Sequence, residues 1–173
     1  VLSGATAAVV NLFERTISAV NYVFTVGGRY CFRINANDSV ETIAADVTGK
    51  DLGSGKSATD CIDFDSHTYV GMGSSEKIWK FSSAAVWSQT GDNVYADKFA
   101  RVWMATYAAL ARAYTESSTP KVSWMSQGVD IMDDAQDGFH YPIGESTHGF
   151  GALVAFDRTL YAIKTDGVYA IDD

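Results

Sequence analysis

One stretch concentrates the residues able to bind metal or move protons: G-V-D-I-M-D-D-A-Q-D-G-F-H-Y-P-I-G-E-S-T-H-G-F-G, from Gly128 to Gly151. Asp130, Asp133, Asp134, Asp137, His140, Glu145 and His148 fall within nineteen residues, and two of the chain's three histidines are among them. Oxygen-rich loops closed by glycine hold Ca²⁺, and histidine with carboxylates holds Zn²⁺. The D-x-[DN]-x-[DN]-G spacing of a calcium loop is not met, and H-E-x-x-H is absent. A solvated connection built on Asx turns accounts for the same residues. The weak metal candidates are therefore Asp133, Asp134, Asp137, His140, Glu145 and His148, with no catalytic or cofactor-binding residue and no cofactor expected.

Other patterns say less. G-S-G-K-S at 53–57 has the end of a phosphate loop, but the motif needs a glycine where Lys50 stands. The chain then enters a strand-like run at Asp60-Cys61-Ile62 rather than a helix. Asp63 and Asp65 alternate on that run, and Asp65 falls at a turn. No Ser-His-Asp or Cys-His set stands out. Trp79, Trp87, Trp103 and Trp124 occupy strand positions, where packing between sheets is the simpler use and stacking on a sugar the sharper one. Cys31 and Cys61 have no metal-site spacing and read as buried free thiols.

Composition bounds the rest. The 173 residues are 47% hydrophobic, 13% aromatic and 20% charged, enough for one domain with a sizeable core. A net charge of −8 argues against a nucleic-acid partner. No run reaches the roughly 18 apolar residues of a membrane helix, so membrane insertion is not expected. The chain opens on Val1, which fits a processed N-terminus or a slice of a longer polypeptide.

Short β-rich runs separated by glycine-containing turns dominate, and four of them repeat. A-L-V-A-F-D-R-T-L-Y-A-I-K-T-D-G-V-Y-A-I-D, from Ala152, parses as three strands joined by an Asp157-Arg158 turn and a Thr-Asp-Gly turn. C-I-D-F-D-S-H-T-Y-V-G-M-G-S-S-E-K-I-W-K-F, from Cys61, aligns Phe64-Asp65 with Phe156-Asp157, Tyr69 with Tyr161 and Ile78-Trp79 with Val168-Tyr169. Its second turn runs from Gly73 to Glu76. A third copy starts at Ala100, with turns at Tyr107-Ala108 and Thr115 to Pro120 and with Leu110 in the place of Leu160. This resolves 97–114, which also has some helical character, as strands. A fourth starts at Ser18, with turns at Gly27-Gly28 and Asn35 to Asp38.

Marking the turns at 28, 66, 108 and 158 gives steps of 38, 42 and 50 residues. Steps near forty with three or four strands each predict an all-β fold, a β-propeller of about four blades of antiparallel strands. The repeats are 17–48, 59–92, 99–128 and 150–173 of a single domain. A β-sandwich with similar hairpins is the competing architecture. A-A-V-W-S-Q-T-G, after Phe81, supplies an outer strand to the second unit, whereas the last unit stops at Asp173 without one. A strand at 7–12 beside Gly167 to Ile171 would supply it and close the ring; otherwise the chain is a fragment cut in phase with its blades.

The closing hairpin resembles blade motifs of quinoprotein-type and sensor-type propellers, from which no site transfers. From Arg101 to Asp172 the order R-V-W-M-A, P-K-V-S-W-M-S-Q-G-V-D-I-M-D-D, Y-P-I-G-E and A-L-V-A-F-D-R-T-L-Y-A-I-K-T-D-G-V-Y-A-I resembles propeller-like repeats of tailed-bacteriophage and prophage structural proteins. The family often has Trp after the loop-opening Asp, where this chain has Ile131. The resemblance implies a non-catalytic structural and assembly module, virion- or tail-associated or extracellular, contacting other protein subunits. The alternatives are a glycan-binding adhesin that meets a cell surface, and a glycan-active enzyme with paired carboxylates at the propeller mouth.

Overall fold

A computed structural model describes residues 9–17, 19–34, 40–41, 50–53, 56–82, 86–90, 94–104, 107–126 and 140–172. Every regular element among them is a strand. The first sheet takes β1 (Val9–Ile17), β2 (Val20–Gly27), β3 (Tyr30–Ile34) and β4 (Val40–Glu41) in order, with β5 (Lys50–Asp51) also on β3. Next come β6 (Asp60–Phe64), β7 (His67–Gly71), β8 (Gly73–Lys77), β9 (Trp79–Ser82), β10 (Trp87–Gln89) and β11 (Tyr95–Ala96). They make the second sheet, ordered β10-β9-β7-β6, and a small β11-β8 pair. The third sheet is β12 (Lys98–Met104), β13 (Tyr107–Glu116), β14 (Thr119–Ser126) and β15 (His140–Pro142). The fourth is β16 (Phe150–Phe156), β17 (Thr159–Lys164) and β18 (Gly167–Ile171).

All pairings are antiparallel, and tight turns set their registers. Asp65-Ser66, Ser117-Ser118 and Asp157-Arg158 each place both residues at φ between 44 and 69°. Two-residue turns of this hand match the twist of the strands they join. The first and last join equivalent hairpins, pairing Phe64 with His67 and Phe156 with Thr159.

Period-two alternation then decides what each face meets. Phe13, Phe24, Val26 and Cys31 of the first sheet pack against Cys61, Val70, Met72 and Phe81 of the second. The opposite face of the second sheet, with Phe64 and Tyr69, meets Phe99 and Leu110 of the third. The opposite face of the third, with Ala100, Val102, Ala109, Ala111, Ala113 and Val122, meets Leu153, Leu160, Ala162 and Ile171 of the fourth. A strand covered on both sides must be apolar on both, which is why Ala109 to Tyr114 is buried without a break. The first strands β1, β6, β12 and β16 lie side by side in that order. The region 97–114 is the β12-β13 hairpin, not a helix.

Several expectations need correction. Ring closure by 7–12 beside Gly167–Ile171 is not formed, and no closed ring is seen among the described residues. Residues 7 and 8 lie outside them, while β1 pairs along its length with β2 through a two-residue connection. Joining neighbours across so short a loop costs far less entropy than recruiting a strand 150 residues away. That makes β1 the first strand of its sheet, so the turn at 28 is that sheet's second and not its first. It also falls one residue later, at Gly28-Arg29, because Gly27 pairs with Tyr30. In the third sheet Tyr107 and Ala108 already belong to β13, paired with Met104 and Trp103. Gly73 to Glu76 is the strand β8, held by β11. The turn expected at Asn35 to Asp38 lies outside the described residues.

Candidate functional site

The richest polar cluster lies where the segment after β15 passes the β17-β18 turn. Lys164 ends β17 on the inward row of Leu160 and Ala162, and its side chain is fully buried. Its ammonium donates to the carbonyls of Ile143 at 3.0 Å and Glu145 at 2.6 Å. Asp166 Oδ2 lies 4.0 Å away, and the Phe150 ring centroid 5.4 Å. Asp166 accepts from the Glu145 N–H at 3.3 Å and from the Tyr169 hydroxyl. Desolvation opposes its charge, but those bonds, one to its own backbone N–H and the Lys164 ammonium together hold its carboxyl below the usual range. Desolvation first, then the bond to Asp166 and the nearby carboxylates, push the Tyr169 phenol up. Gly144, at φ 60°, lets the chain pass close: a Cβ there would lie 2.6 Å from the Tyr169 oxygen.

This cluster gathers two of the expected metal candidates into other work. Glu145 contributes backbone atoms, and His148 Nδ1 lies 3.6 Å from Asp166 Oδ2. A buried ammonium beside that carboxylate repels a divalent ion. Among the described residues no three His, Cys, Asp or Glu side chains are grouped to hold a metal. Asp130, Asp133, Asp134 and Asp137 lie outside the described residues. His140 pairs with Ser123 at the start of β15, its side chain likewise outside. Lys164, Asp166 and Tyr169 were not marked by sequence reasoning. The available signal was a lysine on the inward row of L-Y-A-I-K, just before a Thr-Asp-Gly turn.

Polar pins also join the sheets along their first strands. The Asn11 amide donates to the Cys61 carbonyl at 2.9 Å. Asp60 accepts from the Phe99 N–H at 2.8 Å and the Cys61 N–H at 2.9 Å, and Lys98 donates to the Thr59 carbonyl at 3.0 Å. Burial raises the Asp60 carboxyl, against those two N–H bonds and the Lys98 charge. Arg101 donates to the Asp63 carbonyl at 2.6 Å, while the Asp63 carboxylate takes the Thr68 hydroxyl. Asp65 is a turn residue at φ 44°. Each of these carboxylates has a structural use.

The remaining candidates are absorbed in the same way. Lys56 of the G-S-G-K-S stretch pairs with Glu76, and Leu52 and Ala58 donate to the Arg29 and Gly28 carbonyls, both at 2.7 Å. That segment straps the second sheet to the first. Trp87 stacks on Phe81 at 4.7 Å and stands edge-on to Trp79 at 6.5 Å, both tryptophans half-buried against the core. Trp103 and Trp124 lie in β12 and β14, with side chains outside those described. Cys31 and Cys61 are buried and free in one core; burial pushes both thiols up, Cys61 to about 12.

The face of the fourth sheet turned away from the third is different: it is apolar and open. Val154 opposes Tyr161, which opposes Ala170, and Ile163 opposes Val168. Phe156 is 71% exposed, Val168 65%, Val154 44% and Ile163 36%. At the other end of the stack, the first sheet's outward face exposes Leu12 at 58% and Val23 at 41%.

No protein-family model matches the sequence, and no curated protein does. Among solved structures the chain is similar to a streptogramin B lyase, at TM-score 0.58 and 7% identity, over 95% of this chain and 56% of that one. The protein thus spans about half the length of the lyase chain it matches. At that identity the likeness carries over no residue of the lyase's chemistry; what it establishes, with the stacked antiparallel sheets, is an all-β, β-propeller-like fold.

Proposed function

We propose that the protein is a non-catalytic assembly module: a four-blade arc of a β-propeller that makes protein–protein contacts through its open end face. One observation carries the reading. Phe156, Val168, Val154 and Ile163 form a contiguous apolar face whose counterparts elsewhere in the stack are each covered by another sheet. Exposed apolar faces of this kind are association surfaces. The virion, tail-associated or extracellular setting rests on the resemblance of 101–172 to phage structural repeats. Glycan binding and glycan cleavage are less well supported, since Trp79 and Trp87 pack in the core and Asp60, Asp63 and Asp65 have structural partners or positions.

Photo-crosslinking and a glycan array test it together. A photoreactive residue at position 156 should cross-link to polypeptide, while the protein leaves the array blank. Saccharide binding with no protein cross-link from position 156 would overturn the reading.

A further inference from the structure

Building on that reading, we propose that the partner of the open fourth-sheet face is a second copy of this chain. The outward face of one copy's fourth sheet seats on the outward first-sheet face of the other, and the reverse contact closes a two-copy ring. Three observations point this way. The contact repeats one already present, because Leu153, Leu160, Ala162 and Ile171 show how a fourth-sheet face of this size buries against a neighbouring sheet. The two unpaired faces stand at opposite ends of one stack, with Phe156, Val168, Val154 and Ile163 at one and Leu12 and Val23 at the other. The chain accounts for 56% of the length of a propeller-like neighbour, so two copies supply slightly more than one ring. A head-to-tail contact that closes after two copies leaves neither face in water, and a closed ring is how stacked sheets avoid terminal faces.

The geometry makes a specific demand, because the two faces are different surfaces. Phe156→Asp and Leu12→Asp should each break the dimer, since each places a carboxylate in both copies of the interface. Mixed together, the two variants regain one unaltered interface, formed by the fourth sheet of the Leu12→Asp copy and the first sheet of the Phe156→Asp copy. The test is sedimentation equilibrium of the 173-residue protein from low to high micromolar concentration, with circular dichroism to show that each variant folds. Expected are a parent at twice the 18.7 kDa chain mass, each variant alone at the single mass, and a mixture that recovers dimer. A parent that stays at the single mass overturns the two-copy ring. A dimer that survives Leu12→Asp but not Phe156→Asp overturns it too, since the fourth sheets would then meet each other. Cross-linking from position 156 to a different polypeptide, with a monomeric parent, would sink the ring and leave the assembly role standing.

Discussion

Replacing Lys164 by Met tests how firmly the last sheet is seated. Methionine keeps an unbranched stem of similar length beside Phe150 and removes the ammonium donors. Two carbonyls lose their partner. Glu145 is exposed, so water can take over its oxygen. Ile143 is only 7% exposed, and its own N–H is fixed to the Pro120 carbonyl at 2.9 Å, so it cannot swing round to find another donor. Stranding one buried acceptor costs about 1–3 kcal/mol. Loss of a cation 4.0 Å from Asp166 adds a little, and relief of the ammonium's desolvation subtracts. The balance is a loss of about 2 kcal/mol, and for a chain of this size that lowers the melting temperature by about 4–8 °C. Urea and thermal unfolding at neutral pH, followed by circular dichroism, measure it. A Met variant as stable as the parent would mean that desolvating the ammonium cancels its hydrogen bonds, and the junction would not be an anchor.

Other outcomes follow from the same contacts. Gly144→Ala forces φ 60° on a residue with a Cβ and drives that carbon into Tyr169 and Asp166, so denaturation should show a loss of about 1–3 kcal/mol. Gly149→Ala, with nothing within 4 Å of the new carbon, should cost much less. Asp166 is held below the ordinary carboxylate value, so its charged form stabilises the fold above about pH 4 and that benefit is lost as pH falls through the folded value. Asp166→Asn should therefore be less stable than the parent at pH 7, with the gap closing in acid; a gap independent of pH would refute the assignment. Cys31 and Cys61, buried with raised thiols, should resist a charged disulfide reagent in the native protein and react once urea unfolds it. Rapid native reaction, read by absorbance, would contradict their burial.

The strand content and much of the hairpin layout are legible in the amino-acid order itself, because F-D-S-H and F-D-R-T announce equivalent two-residue turns. The strand character of 97–114 is legible too, once the hairpins are aligned. The phase of the first sheet is not. Gly27-Gly28 is a louder turn signal than Ser18-Ala19, and Ala19 adopts φ 63° with no glycine or asparagine to advertise it. Treating β1 as a strand in search of a sheet leads directly to the ring-closure expectation. The Lys164 junction is hidden for another reason. Its ligands are main-chain carbonyls of Ile143 and Glu145, and which backbone oxygens a lysine meets twenty residues away depends on the stacking of two sheets. The acidic stretch draws notice because carboxylates are conspicuous, not because they converge.

The sheets are built from strands close in sequence, and each stacks chiefly on its neighbours. Such a chain behaves less like a single cooperative block than like a short row of coupled units. Units in the row are not equally protected. β13, covered on both faces, has the most to lose on opening, whereas β18 has one covered face and one open edge. Amide exchange should accordingly run as a gradient along the polypeptide, with β18 opening first and β13 last. Anything that seats on the outer face of the fourth sheet would slow exchange at that end before anywhere else.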